Sequence, residues 1–476
     1  MRRLVCSRRF SSVIPSAPPA GATWTSLGLP SFLHGKLAKL RIGAPTPIQV
    51  SAVGPLVADL SRPPRDALIH SETGSGKTLA YLLPLLARLE PKTVPSARLR
   101  VVVCVPTREL AHQVAEVATE LGAVGSAKDE LRTVRVLRVV GEVTAQTLLE
   151  LKTSPPHVLV GTPATLARLI PAHVNTGELS ALVLDEADEL LRVHNVAATR
   201  AVANAVRAHG SRPGILCVSA TSSFSLEKFA RETLRTPLIA DTTGGAMATP
   251  ATLRHVLVRF PRSNAVFNTF TRLLAALRPT AVLSFHNSAA GLEALEAHLR
   301  SKGIRVGVLG AAYAGAVRAR TLEGISTGRL QVLLATEMAA RGLDLPRLSH
   351  VVNFDPPSSL REYVHRAGRV GRLSSLTPGR SGTVVNFVGS DEAAASVLEI
   401  ATELGVALDE ISFDAGEPVA HRLVEGAKDL EEHRKALRLS STKIRIKSSV
   451  SVRPTAAAAA AVPTPSLPAA VLLDER

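Results

Sequence analysis

The sequence predicts two α/β units in tandem, each a doubly wound parallel sheet, joined by a flexible linker. Three observations carry that expectation. Short β-branched runs, apolar without alternation, recur between helix-like segments, as strands buried on both faces of a parallel sheet do. The series runs twice, broken by a small, polar, glycine-bearing stretch at 241–250. The first unit also opens with a strand, a glycine-rich loop and a Leu-rich helix in succession, the context a phosphate-binding loop requires.

Taken in order, the chain starts with Arg- and Ser-rich residues, and no acidic residue precedes Asp59. Arg8-Arg9-Phe10 is followed by Ser11-Ser12. This is the composition of an organelle transit peptide, expected over 1–22 and directed to mitochondria. Chloroplast import, or a basic RNA-gripping arm on a nucleolar or cytoplasmic protein, are the alternatives.

The first unit is expected over 23–240. Its strand at 67–70 leads into Ser71-Glu72-Thr73-Gly74-Ser75-Gly76-Lys77-Thr78 and a helix over 79–89. The glycines let backbone N–H groups point inward at phosphate oxygens, and the helix adds its positive end. Lys77 would lie along the β- and γ-phosphates, and the Thr78 hydroxyl would hold Mg²⁺. Further strands are expected at 99–105, 133–140, 157–160, 181–184 and 214–218, with helices at 109–121 and 197–209. Directly after the apolar run at 182–184 comes Asp185-Glu186-Ala187-Asp188. A carboxylate ending a buried strand beside a phosphate loop suits the Mg²⁺ that bridges nucleotide phosphates, which points to Asp185. Glu186 is then placed to accept a proton from attacking water.

A linker over 241–252 separates the second unit, 253–410. Its strands are expected at 281–285, 305–309, 330–335, 350–354 and 382–388, and its helices at 289–301, 316–327, 360–367 and 391–404. Past 410 the pattern decays into an extension over 411–476, with a charged helix at 427–439 and then a disordered basic and Ala/Pro-rich tail.

Composition narrows the partners. With 476 residues, a net charge of +16 and a pI near 10.4, the chain suits a polyanion or an acidic membrane surface. Aromatics make up 3%, which argues against base-stacking platforms as the main grip on nucleic acid. No apolar run approaches the roughly 18–20 residues of a membrane span, so stable insertion is not expected. Cys6, Cys104 and Cys217 are too scattered for a disulfide or metal framework.

Together these motifs resemble the DEAD-box ATP-dependent RNA helicases over roughly 24–388. The resemblance implies two RecA-like domains, ATP and Mg²⁺ as cofactors and RNA as partner. Thr46-Pro47-Ile48-Gln49 is similar to the Q motif, whose glutamine reads the adenine edge, and Trp24 stands where a base-stacking Phe is usual. Pro106-Thr107-Arg108 and Thr162-Pro163 correspond to RNA-backbone motifs. Ser219-Ala220-Thr221, with Asp188 and His365, would couple ATP state to unwinding. The segment 335–344 implies RNA contacts from Thr336 and Arg341 and a ribose contact from Asp344. The segment 363–372 puts Arg369 and Arg372 in the arginine-finger role.

Charge on the γ-phosphate would then be met only when the two units close, which makes hydrolysis a report on closure. Departures from the pattern fall mostly on the RNA side: Val140-Gly141 for a double glycine, Thr162-Pro163-Ala164-Thr165 in motif Ib with Arg168 three residues on, Glu337 for Asp, and Gly315 for Gln. ATPase chemistry with a weakened core grip on RNA is the expectation, with the basic tail or a protein partner such as a ribosomal assembly intermediate compensating. The chain is expected to act as a monomer that separates short duplexes or remodels RNA–protein complexes. The alternative is a low-turnover, nucleotide-gated RNA clamp or assembly factor.

Overall fold

The computed structural model describes residues 21–58, 60–89, 98–123, 133–208, 212–244, 247–250, 252–260, 266–310, 315–340, 343, 345, 347–371, 382–414 and 417–424. The expected transit peptide up to residue 20, the charged helix at 427–439 and the tail lie outside them.

The first sheet has seven strands: β1 Ala67–His70, β2 Val101–Cys104, β3 Val136–Val139, β4 Val158–Gly161, β5 Ala181–Asp185, β6 Gly214–Ser219 and β7 Leu238–Asp241. Their order is β3-β4-β2-β5-β6-β1-β7. Every pairing is parallel. Side chains alternate across the sheet, so consecutive apolar residues serve opposite cores. Val101 and Val103 pack into one cluster with the helices Pro47–Val57 and Lys77–Ala87, while Val102 and Cys104 pack into the other with Leu166 and Phe229. That double burial is why the runs do not alternate in sequence. Cys104 and Cys217 are free thiols inside these cores, and burial pushes Cys217 up to about 12.

The second sheet contains β8 Leu253–Arg259, β9 Val282–His286, β10 Val306–Leu309, β11 Val332–Thr336, β12 His350–Asn353, β13 Gly382–Val388, β14 Leu408–Asp414 and β15 Glu417–Val424, in the order β10-β11-β9-β12-β13-β8-β14-β15. Seven strands run parallel, and β15 closes the edge antiparallel to β14. A boundary at 410 is therefore too early. Instead of starting a helical extension, the residues after it complete a strand that pairs with β8 from His255 to Val258, and the sheet continues to Val424.

The register sets up the site. His70 lies opposite Ser219, and Asp185 opposite Val218, so β1, β6 and β5 end level with one another as neighbours. Ligands of doubly wound sheets bind at these carboxyl ends.

Three histidines of the second unit are held neutral by burial. His255, His286 and His350 are each lowered to about 4. The unfolded chain takes up protons below about 6.5 that the folded chain refuses, so stability is full above that value and is lost as pH falls towards 4. Urea unfolding of the full chain at pH 7.5 and 5 should show the loss, at up to about 1.4 kcal/mol per pH unit per histidine. His255→Gln should flatten the slope, and an unchanged slope would count against His255 as a source.

Candidate functional site

The phosphate loop is built by its neighbours. Gly74 and Gly76 have φ of +79° and +92°, where an L side chain is strained, and a Cβ on Gly76 would run into Gln49 Nε2. Gln49 donates from Nε2 to the Gly76 carbonyl at 3.0 Å and accepts the Thr46 N–H at 2.8 Å. The Thr46 hydroxyl donates to the Ser75 carbonyl at 2.8 Å. One N–H of the Gln49 amide and a lone pair of its oxygen remain for a partner in the cleft. Ser75 Oγ donates to the Glu72 carbonyl at 2.7 Å, and Lys77 Nζ donates to the Ser71 and Glu72 carbonyls at 2.8 and 2.6 Å.

Trp24 does not form part of the cleft lining. It is 6% exposed, and its indole N–H donates to the Ile42 carbonyl at 3.2 Å, so it props from behind the wall to which Ile42 belongs. Ser71 has a role that sequence did not show. Its Oγ accepts from Thr242 at 2.7 Å, while Thr243 meets His70 Nδ1 at 3.0 Å, which ties the start of the linker to the loop.

At the end of β5, Asp185 is buried and accepts Tyr81 O–H at 2.8 Å and the Glu186 N–H at 2.9 Å. Burial, then the charge of Glu186, raises its pKa to about 6. A buried carboxylate pushed upward beside a second acid is one that a divalent cation would stabilise. Among the described residues no three acids or histidines cluster as a metal cage. Thr78 and Asp185 thus fit an ion that takes its other ligands from phosphate and water. Glu186 adopts φ 51°, ψ 50°, a left-handed conformation that costs a non-glycine residue about 1–3 kcal/mol and belongs to functional turns.

Both units reach the same cleft, of about 570 Å³. Arg369 is 7% exposed, its Nη2 lies 3.7 Å from Glu186 Oε1, and its Nε and Nη1 donate to the His365 and Leu343 carbonyls at 3.2 and 3.4 Å. Asp188 accepts from Thr221 on its own unit and meets Arg361 at 2.9 Å and His365 at 3.3 Å on the other. Burial alone would raise its pKa, but the hydrogen bond and charge of His365, with Arg361 and Thr221, hold it well below the usual carboxylate range. Ser219 Oγ braces this turn by donating to the Thr221 carbonyl at 2.7 Å, and Ala220 lines the cleft. Arg318 pairs with Glu109 at 2.5 Å, and a side chain on Gly368 would strike Thr73. Glu109, within the stretch 106–111 that resembles an RNA-backbone motif, thus bonds across to the second unit instead, and Arg361 belongs to no motif named above.

At the carboxyl ends of β2 and β4, along the same edge of the sheet, Val105 N–H donates to the Gly161 carbonyl at 3.0 Å, which sets 106–108 beside 162–163. Helices Arg108–Gly122 and Pro163–His173 start there, with Thr107 accepting Leu110 N–H at 3.2 Å. The two helices pack on opposite faces of the sheet, but both begin at the carboxyl ends of the neighbouring strands β2 and β4, where their first-turn N–H groups suit backbone phosphates. Thr336 ends β11 opposite His286. Arg341, Asp344 and Arg372 lie outside the described residues.

The DEAD/DEAH box helicase family model matches residues 46–229, and the helicase conserved C-terminal domain matches 265–374. The DEAD-box ATP-dependent RNA helicase CshA of Geobacillus kaustophilus is 30% identical over 371 residues, which span 77% of this chain and 73% of that one. The chain belongs to the DEAD-box ATP-dependent RNA helicases. ATP-dependent RNA helicase DeaD of Escherichia coli is 33% identical over 349 residues, 73% of this chain but 52% of DeaD, so the match spans about half of that relative. Among solved folds, S. cerevisiae Dbp5 bound to RNA and ADP BeF3 superposes with a TM-score of 0.70 at 23% identity, covering 88% of this chain and 99% of that one. Mss116 bound to ssRNA and UDP-BeF gives 0.71 at 22%, covering 84% and 82%. Both show the tandem RecA-like architecture.

Within this DEAD-box chain the unusual motif Ib has a structural consequence. Thr165 is 2% exposed, and its hydroxyl donates to the Gly141 carbonyl at 3.1 Å. Arg168, one turn further along the helix, donates to the same carbonyl at 3.2 Å. The single glycine and the altered motif are therefore joined, with the guanidinium displaced to the rim.

Proposed function

We propose that this chain hydrolyses ATP with Mg²⁺ in the interdomain cleft when RNA is bound across both units. The cycle separates short RNA duplexes or remodels RNA–protein complexes in mitochondria. One observation supports this reading above others: Arg369 of the second unit reaches within 3.7 Å of Glu186 of the first. The names of the curated relatives, ATP-dependent RNA helicases, supply the nucleotide and the polymer.

The free amide positions of Gln49 suit an adenine edge, which offers one donor and one acceptor. Lys77 and the loop N–H groups suit the phosphates. Thr78 and Asp185 would hold Mg²⁺, which when bound would offset the charge of the phosphates. Glu186 takes the proton of the attacking water, and Arg369 faces the charge that develops as the γ-phosphate leaves. RNA on the helix N-termini at 107 and 162 and on the second unit near Thr336 favours the closed arrangement. Each ligand then raises affinity for the other by the same factor. Such contacts read phosphate and sugar rather than sequence.

Steady-state ATPase of the purified chain tests the reading. RNA should stimulate turnover and Lys77→Ala should abolish it; equal stimulation by single-stranded DNA would remove RNA as the specific partner. Location rests on the Arg- and Ser-rich 1–22, and a fluorescent protein carrying those residues should enter mitochondria. The chain is proposed to work as a monomer, aided by a protein cofactor. No helix among the described residues is long and apolar enough to cross a membrane.

A further inference from the structure

The helix after the phosphate loop carries a tyrosine to which the mechanism above gives no task. Tyr81 is 0% exposed and lies on Lys77–Ala87, three residues after Thr78 and four after Lys77, so the three share a face. Its O–H donates to Asp185 Oδ2 at 2.8 Å. One buried hydroxyl therefore touches one of the residues that suit Mg²⁺ and stands about one helical turn from the other. A phenol keeps its proton at neutral pH, so this hydroxyl is the donor to the carboxylate.

The carboxylate is fixed at both ends. Oδ2 takes the Tyr81 bond, and Oδ1 takes the Glu186 N–H at 2.9 Å. Rotation about Cβ–Cγ would break both. Shape does not call for the hydroxyl, since Tyr81 belongs to an apolar cluster with Ala80, Leu82, Leu83, Leu85 and Leu86, in which phenylalanine would serve equally well. A buried phenol without a partner would be a net cost.

We propose that Tyr81 is a positioning residue for the divalent cation, its hydroxyl setting the orientation of Asp185. This rests on the reading of Thr78 and Asp185 as the metal ligands. Partners that orient metal ligands are typically worth 10–100-fold in metal affinity.

Mn²⁺ is the probe, read by electron paramagnetic resonance in a titration of the full chain with a non-hydrolysable ATP analogue. Tyr81→Phe should weaken Mn²⁺ about 10-fold, with nucleotide affinity in EDTA within about twofold and the circular dichroism spectrum unchanged. A role in packing alone would move neither the Mn²⁺ midpoint nor its spectrum. Wild-type Mn²⁺ affinity in Tyr81→Phe, with Asp185→Asn weakened, would overturn the proposal and leave the metal site standing. If Asp185→Asn also binds Mn²⁺ normally, the metal-site reading fails and the role of Tyr81 fails with it.

Discussion

Arg369→Ala is expected to lower RNA-stimulated ATP turnover about 10³-fold while leaving ATP affinity close to that of the intact chain. The reasoning begins with what holds the guanidinium. Two of its nitrogens are given to the His365 and Leu343 carbonyls and a third faces Glu186 at 3.7 Å, so its orientation is fixed before any substrate arrives. A charge that needs no reorganisation is worth most against a transition state, and 7% exposure keeps water from screening it. Phosphate binding in the ground state depends on the loop and Lys77, all on the other unit, so the loss should fall on kcat rather than on KM. Arg369→Lys should recover little, because an ammonium cannot hold two carbonyls and face a third group in one plane. Single-turnover rates at saturating ATP and RNA decide the matter. A deficit of less than about threefold would mean that closure of the units is not needed for phosphate cleavage.

The two parts of this site were not equally legible in the sequence. The phosphate loop and Asp185-Glu186 could be read because their chemistry depends on local order, with glycines beside a lysine and acids at the end of an apolar strand. The strands of both sheets showed themselves wherever helices cover both faces, as at β2 and β6. β8 was hidden because Arg254 and Arg259 interrupt its apolar run, and β14 because Asp409 and Glu410 turn outward to pair with those arginines at 2.9 and 2.8 Å. Contacts that join distant segments left no signal. Nothing near Asp188 in the chain announces Arg361, 173 positions away, and nothing near Ser71 announces Thr242. The left-handed turn at Glu186 was equally silent, since glutamate is not a residue that favours positive φ. Trp24 shows the opposite failure: a motif position suggested a ring on the base, and the fold buries it one layer behind.

Glu186→Gln should separate the turnover enzyme from the clamp. The substitution keeps the size, turns one acceptor oxygen into an amide donor, and removes the charge together with the proton acceptor, so the loss expected is that of a general base, about 10²–10⁴-fold in kcat. The backbone turn is retained because glutamine occupies the left-handed region no worse than glutamate. The Asp188 bridge to Arg361 and His365 is untouched, so ATP and RNA should still close the units. Removing one acid beside Asp185 also relieves the like charge that helps raise it, which favours rather than weakens the phosphate-bound state. The variant should therefore hold RNA with ATP far longer than the parent chain, as measured by the dissociation rate of a fluorescent RNA after ATP is added. That lengthening is the signature of an enzyme whose release step follows hydrolysis. If instead the parent chain already holds RNA as long as Glu186→Gln does, hydrolysis is not what opens it. The clamp would then be the working form, with Arg369 and Asp188 serving closure rather than turnover.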